Sequence, residues 1–381
     1  EKGIGLLNDL RGMFAFALWD GHSGKLYLAR DRVGKKPLVY AVTPAGITFA
    51  SEIKALFADT SVSMDIDSAA VDQYFTMNFV PHPRTIFTAI RKIPPAHYLV
   101  AAANGVESGQ RYWSLRFQPK TNPREDEAKD AVVRHLRDAT SIRLVSDVPL
   151  GLLLSGGLDS SAVAVFMAES CGGKVKTFSV GFENAPESDE LPYAQMVAKH
   201  IGAEHHPIRL KMDVLDHLPK LAAHLDEPFG DSSILPSFLV AREARKYVTV
   251  VLNGDGGDEA FAGYPRYADV SRLAGIFSGC PDNIRTTVRE KLLRGLRHPQ
   301  RDGNGWMYHK LRKILIPAHR CIFQPESFSA MDKYRLYGAD FRAALNGNHW
   351  DEMMSLMDQS ESETRNVADT LIQLDFNLYL P

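Results

Sequence analysis

The chain is poor in cysteine. Its 381 residues include 3, Cys171, Cys280 and Cys321. None falls in a Cys-x-x-Cys pair and no Cys/His spacing suits zinc. A disulfide scaffold and a zinc-ribbon module are therefore not expected, and a reducing cytoplasm is the expected compartment. Long hydrophobic runs are also missing. None reaches the ~18 residues that a membrane span needs, so no membrane partner is expected, and the N-terminus lacks a signal-peptide pattern. Charge of one sign is not in excess: the formal net charge is -2. Nucleic-acid binding, which shows as a basic surplus, is not expected. There is no internal repeat and no low-complexity tract.

What is present is the composition of a soluble globular protein, with 45% hydrophobic and 24% charged residues. The length predicts roughly two or three domains. The sequence opens at Glu1 in what reads as a helix end and stops at "DFNLYLP" in mid-pattern, so both ends read as cuts through a longer protein.

Two halves differ in pattern. "MFAFALWD", "KLYLARD", "PLVYAVT" and "GITFAS" are short β-prone runs over 13–51, separated by Gly- and Pro-containing turns. "AHYLVAAANG" (96–105) and "RYWSL" (111–115) add two more, and a helical pattern covers about 66–78. Residues 1–115 thus predict an antiparallel β-rich domain. Residues 116–127, polar and with two prolines, read as a linker. A long amphipathic helix follows over about 126–145. Strands and helices then alternate: "PLGLLLS", helix 159–170, "KVKTFSVGF", helix 189–201, "HHPIRL", helix 213–225, helix 234–246, "VTVVLNG", and a helix from about 258. That alternation predicts a parallel sheet with helices on both faces in a domain running over 128–381. From about 268 onward the pattern is helical.

Ligands of parallel α/β sheets bind outside the carboxyl ends of the strands. Two strand ends here carry Gly-rich acidic loops. In "LLLSGGLDSS" (152–161), Gly156 and Gly157 let the backbone turn and approach a ligand. The turn amides, the following helix N-terminus and the hydroxyls of Ser155, Ser160 and Ser161 make an anion nest. Asp159 would repel a bare phosphate but suits one that shares a Mg²⁺ ion. No lysine follows the glycines, which excludes the GxxxxGK[ST] phosphate loop. The bland alternative is a tight turn with a Ser or Asp helix cap. In "NGDGGDE" (253–259), Asp255, Asp258 and Glu259 would repel one another without a cation, and the alternative is a solvated helix start.

With these residues in view the chain resembles the glutamine-dependent asparagine synthetases. "SGGLDSS" resembles the pyrophosphate loop of the ATP pyrophosphatases, and "LNGDGGDEAFAGYPRY" resembles the second signature of the asparagine synthetase branch. "LRGMFAFALWD", "LARDRVGKKPLVY", "FASEIKAL" and "PRTIFTAIRKIPPAHYLV" resemble the later part of that family's glutaminase domain, an N-terminal-nucleophile hydrolase fold. The resemblance implies ATP and Mg²⁺ as cofactors, and aspartate with glutamine or ammonia as substrates. It implies that aspartate attacks the α-phosphate of ATP and that ammonia displaces AMP from the aspartyl-adenylate. It implies that Asp159 and Asp258 hold Mg²⁺–pyrophosphate, which Ser155, Gly156, Gly157, Ser160 and Ser161 surround. Leu154, Val180, Asn253 and Gly254 would line the adenine–ribose site. Asp255 stands where many members have glutamate, at a position important for adenylation.

The family's glutaminase nucleophile is a cysteine at residue 1, whereas Glu1 stands here. The chain is therefore expected to be incomplete as a glutaminase, and incomplete at its C-terminal end. Alternatives remain open: a relative acting on another carboxylate (a sugar acid, a β-lactam precursor or a peptide), a tRNA-thiolating enzyme, or a non-catalytic nucleotide-binding partner subunit. A homodimer is one admissible assembly. Arg30 and Asp31 are expected to form an internal ion pair, and His205 and His206 to begin a strand. "LDEPFGDSS" (225–233) is expected at a strand-side loop of the sheet, and the basic run 285–301 on a solvated helix.

Overall fold

The computed structural model describes residues 2–102, 105–172, 175–183, 189–210, 214–268, 271, 328, 330–345, 364 and 366–381. It divides into two compact units. One comprises Glu1–Gln118, Leu225–Gly230 and Glu259–Pro381, the other Pro119–His224 and Asp231–Asp258.

The first unit opens with a short 3₁₀ turn, Gly3–Asn8, and holds two antiparallel sheets. β1 (Ala15–Asp20), β2 (Lys25–Arg30), β6 (His97–Ala102) and β7 (Gly105–Arg111) form one, in the order β1-β2-β6-β7. β3 (Val39–Thr43), β4 (Gly46–Ala50) and β5 (Ile90–Lys92) form the other, in the order β4-β3-β5. Leu28 of β2 and Leu99 and Ala101 of β6 meet Leu38 and Ile93, which flank β3 and β5, in one core. A second core gathers Val39, Ala41 and Ile90 with Ile53 and Leu56 of the short α1 (Ile53–Leu56). α2 (Ser68–Met77) starts where the Asp67 carboxylate accepts the amides of Ala69 and Ala70.

Two expectations change here. "RYWSL" is not a strand. The strand is the polar "GVESGQR", an edge strand with only β6 to pair with, so it needs no apolar face. Tyr112 instead closes a loop, its amide donating to Ala96 O at 2.8 Å and its hydroxyl to Arg30 O at 2.8 Å. Arg30 and Asp31 are both buried but do not pair. Arg30 donates to the carbonyls of Gly34, Lys36, Ile93 and Pro381, and Asp31 accepts the amides of Phe14, Val33, Lys35 and Lys36. Turn amides and carbonyls are close and cannot be left unbonded in a core, so each charged group serves the backbone. Burial lowers the Arg30 guanidinium to about 10.

The second unit begins with α3 (Glu125–Ser141), whose Glu127 closes a capping box on the Arg124 amide at 3.0 Å. β8 (Leu150–Leu153), α4 (Leu158–Cys171), β9 (Lys176–Phe182), α5 (Leu191–His200), β10 (Glu204–Leu210), α6 (Val214–Leu225), α7 (Ile234–Ala244) and β11 (Val250–Leu252) follow. All strand pairs are parallel, in the order β10-β9-β8-β11. Leu152 and Leu154 pack with Ala164 and Met167 of α4 and Ala194 and Ala198 of α5. Leu153, Val180 and Val251 pack on the opposite face with Val240 and Ala244 of α7. Both faces are covered, which is why "LLL" shows no alternation in sequence. The fold is the expected parallel α/β sheet preceded by a β-rich unit.

α8 (Gly257–Phe261) leaves the second loop, and α9 (Ala330–Leu336), α10 (Ala339–Ala344) and α11 (Val367–Leu374) follow among the described residues, the last running into a π-helical turn, Asp375–Tyr379. α9 is fixed to α2, with Lys333 Nζ donating to Asp72 Oδ1 and Thr76 Oγ1, each at 2.7 Å. The basic run 285–301 lies outside the described residues. No described helix is long and apolar enough to cross a membrane.

The stretch 225–233 corrects another expectation, because Leu225–Gly230 belongs to the first unit rather than to the sheet. Asp226 accepts the Ile53 amide at 2.7 Å and pairs with Lys54 at 3.1 Å. Glu227 accepts the Ile86 amide at 3.1 Å and pairs with Lys92 at 2.5 Å. Asp226 and Glu227 are committed to these partners.

Candidate active site

The first Gly-rich loop leaves β8 at Leu154, whose amide donates to Phe178 O at 2.9 Å as the last rung of the ladder. Gly156 then takes φ +84, and a Cβ there would lie 2.6 Å from the Ala194 amide and from Tyr193 Cβ. Only glycine tolerates both the conformation and the close passage of α5. The chain re-enters helix at Gly157, which caps α4 without a side-chain hydrogen bond. First-turn amides of a helix have no intrahelical partner, so this end of α4 favours an anion.

The loop serines form a closed ring. Gly157 N–H donates to Ser155 Oγ at 3.1 Å, the Ser155 and Ser160 hydroxyls are 2.9 Å apart, and Ser160 Oγ donates to Gly157 O at 3.3 Å. Ser160 Oγ also accepts the Ser155 amide at 3.3 Å. Ser161 lies at the next position of α4, and its buried hydroxyl has no protein partner.

The second loop leaves β11 and packs directly on the first. A Cβ on Gly254 would stand 2.9 Å from the Ser160 amide, and one on Gly257 would overlap the Asp159 carboxylate. The glycines of "NGDGGD" are therefore places where two loops touch. Asn253 Nδ2 donates to Asp255 Oδ2 across the turn. Asp159 and Asp258 come near enough to interact. Partial burial, and then the charge of Asp258, raise the Asp159 pKa above the ordinary carboxylate value.

A cavity of about 490 Å³ opens between the loops. Leu154, Ser155, Gly157, Asp159, Ser160, Val180, Asn253, Gly254, Asp255 and Asp258 all line it. Gly156 and Ser161 do not: the first is packed against α5 and the hydroxyl of the second is buried without a protein partner. Glu259 does not join the acids of its loop. It is buried, and its Oε1 accepts the Tyr264 hydroxyl at 2.8 Å. One helical step rotates it away from Asp258. Ser179, Glu190, Pro236 and Ser237 also line the cavity and were not singled out from sequence. Ser179 stands in the middle of β9 and Glu190 at the start of α5, and no glycine or motif marks them. Pro236 and Ser237 come from α7, whose sequence pattern shows only a helix.

His205 and His206 begin β10 as expected. His205 Nδ1 lies 2.9 Å from Thr177 Oγ1, and His206 stacks on Phe178 with ring centroids 5.1 Å apart. Among the described residues, no group of three or more His, Cys, Asp or Glu could hold a metal ion alone.

An anion-favouring helix start, two neighbouring acids and a cavity thus meet at the ends of parallel strands in an α/β unit. Residues 131–379 match the family described as Asparagine synthase. Residues 1–113 match the one described as Glutamine amidotransferase domain. The chain belongs to the asparagine synthase family. Asparagine synthetase (glutamine-hydrolysing) 1 of Bacillus subtilis (strain 168) is 37% identical over 263 residues, covering 69% of this chain and 41% of that protein. Asparagine synthetase (glutamine-hydrolysing) 3 of the same organism is 34% identical over 304 residues, covering 75% and 48%. Amidase chyE of Penicillium rubens is 31% identical over 283 residues, covering 70% and 42%. The chain spans less than half the length of these three relatives.

Proposed function

We propose that the chain carries the ATP-dependent half of an asparagine synthesis: amidation of the aspartate side chain, yielding asparagine, AMP and pyrophosphate. The observation that carries this reading is the contact between the two Gly-rich loops, which brings Asp159 and Asp258 to one end of the cavity. In the complete protein, glutamine supplies the ammonia. Residues 1–115 belong to the glutamine amidotransferase domain, 128–381 to the synthetase domain, and 116–127 link them.

The donor set fits Mg²⁺: partial burial and the neighbouring Asp258 charge raise the proton affinity of Asp159, which a cation between the two would offset, and a hard cation takes carboxylate and phosphate oxygens together. Asp159 and Asp258 would hold the ion, which would neutralise charge on the leaving pyrophosphate. Ser155, Ser160 and the amides that open α4 bind the pyrophosphate oxygens. Gly156 and Gly157 keep that backbone close to the ligand. Ser161, which the resemblance also assigned to this site, lies off the cavity and outside the serine ring, so no ligand contact is proposed for it. Leu154, Val180, Asn253 and Gly254 hold the adenine and ribose, which aligns the α-phosphate with the attacking carboxylate. A carboxylate oxygen of aspartate forms the new bond to the α-phosphorus, and the bond to pyrophosphate breaks. Asp255, at the mouth of the cavity, orients this step. Ammonia then attacks the acyl carbon, AMP leaves with the bonding pair, and the ammonium proton passes to solvent.

The test is exchange of labelled pyrophosphate into ATP with L-aspartate and, in parallel, with a sugar acid and a β-amino acid. Aspartate-dependent exchange is expected. Exchange with another carboxylate alone would replace the acceptor. No exchange with any acceptor, together with no binding of Mg–ATP, would overturn the reading.

A further inference from the structure

Ser179 lies on β9, is 4% exposed, and has no place in either loop motif. Its hydroxyl donates to the Leu154 carbonyl. In a regular parallel ladder that carbonyl would be served by the backbone amide of Val180, two residues beyond Phe178. Here a side chain takes it at the point where β8 ends. The amide of the same peptide group, Ser155 N–H, donates to Ser160 Oγ at 3.3 Å. One peptide plane, Leu154–Ser155, is thus held at its oxygen by β9 and at its nitrogen by α4. Every further bond of the serine ring depends on that plane, because it sets where Ser155 Oγ stands relative to Gly157 and Ser160.

We infer that Ser179 is a positioning residue for the pyrophosphate loop: its hydroxyl fixes the Leu154–Ser155 peptide and so pre-forms the nest before ligand arrives. Without it the Leu154 carbonyl would be buried and unserved, and the peptide would rotate to find a partner. Rotation would turn the Ser155 amide off Ser160 and open the ring. The ordering would then fall on binding, and the affinity for the phosphate moiety would drop. This inference rests on the reading of the cavity as an ATP site.

The same strand supplies a control. Thr177 is fully buried, and its Oγ1 lies 2.9 Å from His205 Nδ1, away from the loop. Thr177→Val removes a buried hydroxyl from β9 without touching Leu154. The experiment is calorimetric titration of the purified protein with magnesium pyrophosphate, beside thermal melting. Ser179→Ala is expected to weaken binding about tenfold, the factor set by one buried hydrogen bond. Ser179→Cys, close in volume but a weak donor, should weaken it in the same direction and serves if the alanine variant does not fold. Ser179→Thr keeps the hydroxyl and should stay within about threefold of the unmodified protein. Thr177→Val should lower the melting temperature yet bind normally. If the unmodified protein binds and Ser179→Ala or Ser179→Cys binds as well, the inference fails while the ATP reading stands. Equal losses in Thr177→Val and Ser179→Ala, or loss in Ser179→Thr, would also overturn it. If the unmodified protein does not bind magnesium pyrophosphate, the ATP reading itself fails.

Discussion

Replacing Asp159 with asparagine separates binding from folding at one atom. The side chain keeps its size, and the carboxylate supplies no cap hydrogen bond to α4, so no helix contact is lost. What goes is a charge held beside Asp258 and partly withdrawn from water, the two causes that raise its pKa. For an acid whose folded-state pKa is raised, the folded chain holds protons more tightly than the unfolded one. Stability therefore falls as pH rises from the ordinary carboxylate value of 3.8 through the raised one, and the deficit persists at neutral pH. Asp159→Asn removes that deficit. Without ligand, the melting temperature at pH 7 should stay the same or rise, and the gain should vanish in acid below 3.8. With ligand the sign reverses. Loss of a preorganised electrostatic contact costs a catalyst about a hundredfold or more, so ATP–pyrophosphate exchange by the complete enzyme should fall by at least that factor. Asp258→Asn should match it, and the double variant should be little worse than either, since both would serve one cation. Near-normal exchange in Asp159→Asn would refute the shared-cation argument and leave the loop a tight strand-to-helix turn.

Gly257→Ala should leave stability almost unchanged, because alanine suits a helix start, but its Cβ would displace the Asp159 carboxylate; titration with Mg²⁺ and pyrophosphate should show binding lost with the melting temperature kept. Chelating divalent cations should abolish ATP binding measured by calorimetry, because Asp159, Glu190, Asp255 and Asp258 line the cavity and no described Lys, Arg or His does. Lys92→Met should destabilise the protein by about 3–5 kcal/mol in urea unfolding, because Glu227, 2.5 Å away, would be left charged without its partner; adding Glu227→Gln should restore most of the loss.

The sheet and its two loops were legible because their signals are local. Period and turn chemistry mark β8, β9 and β10 within a few residues, and the close approach of two loops demands glycine, which sequence displays directly. Three things were not legible for a shared reason: they depend on partners distant in the chain. β7 is polar because it is an edge, and edges are set by sheet order rather than by composition. Arg30 and Asp31 look like a pair side by side, yet each satisfies buried backbone groups that only folding brings near. The stretch with Asp226 and Glu227 reads as a loop beside the sheet, yet Lys54 and Lys92 claim these acids from about 130 to 170 positions away in sequence.

The same distinction explains which residues of the site escaped notice. Ser155, Ser160 and Asp159 are conspicuous because a nest needs several small or acidic groups in succession. Ser179 acts singly, from another strand, on a carbonyl that the sequence never displays. A loop whose glycines permit many conformations requires something outside it to select one. Here the selecting groups are the neighbouring strand through Ser179, the backbone of α5 against Gly156, and the second loop against Asp159. The glycines make close approach possible, and the surrounding elements remove the freedom that glycine brings. What the protein leaves uncompensated at Asp159 is its partial burial beside the charge of Asp258, which a bound cation with its phosphates would offset.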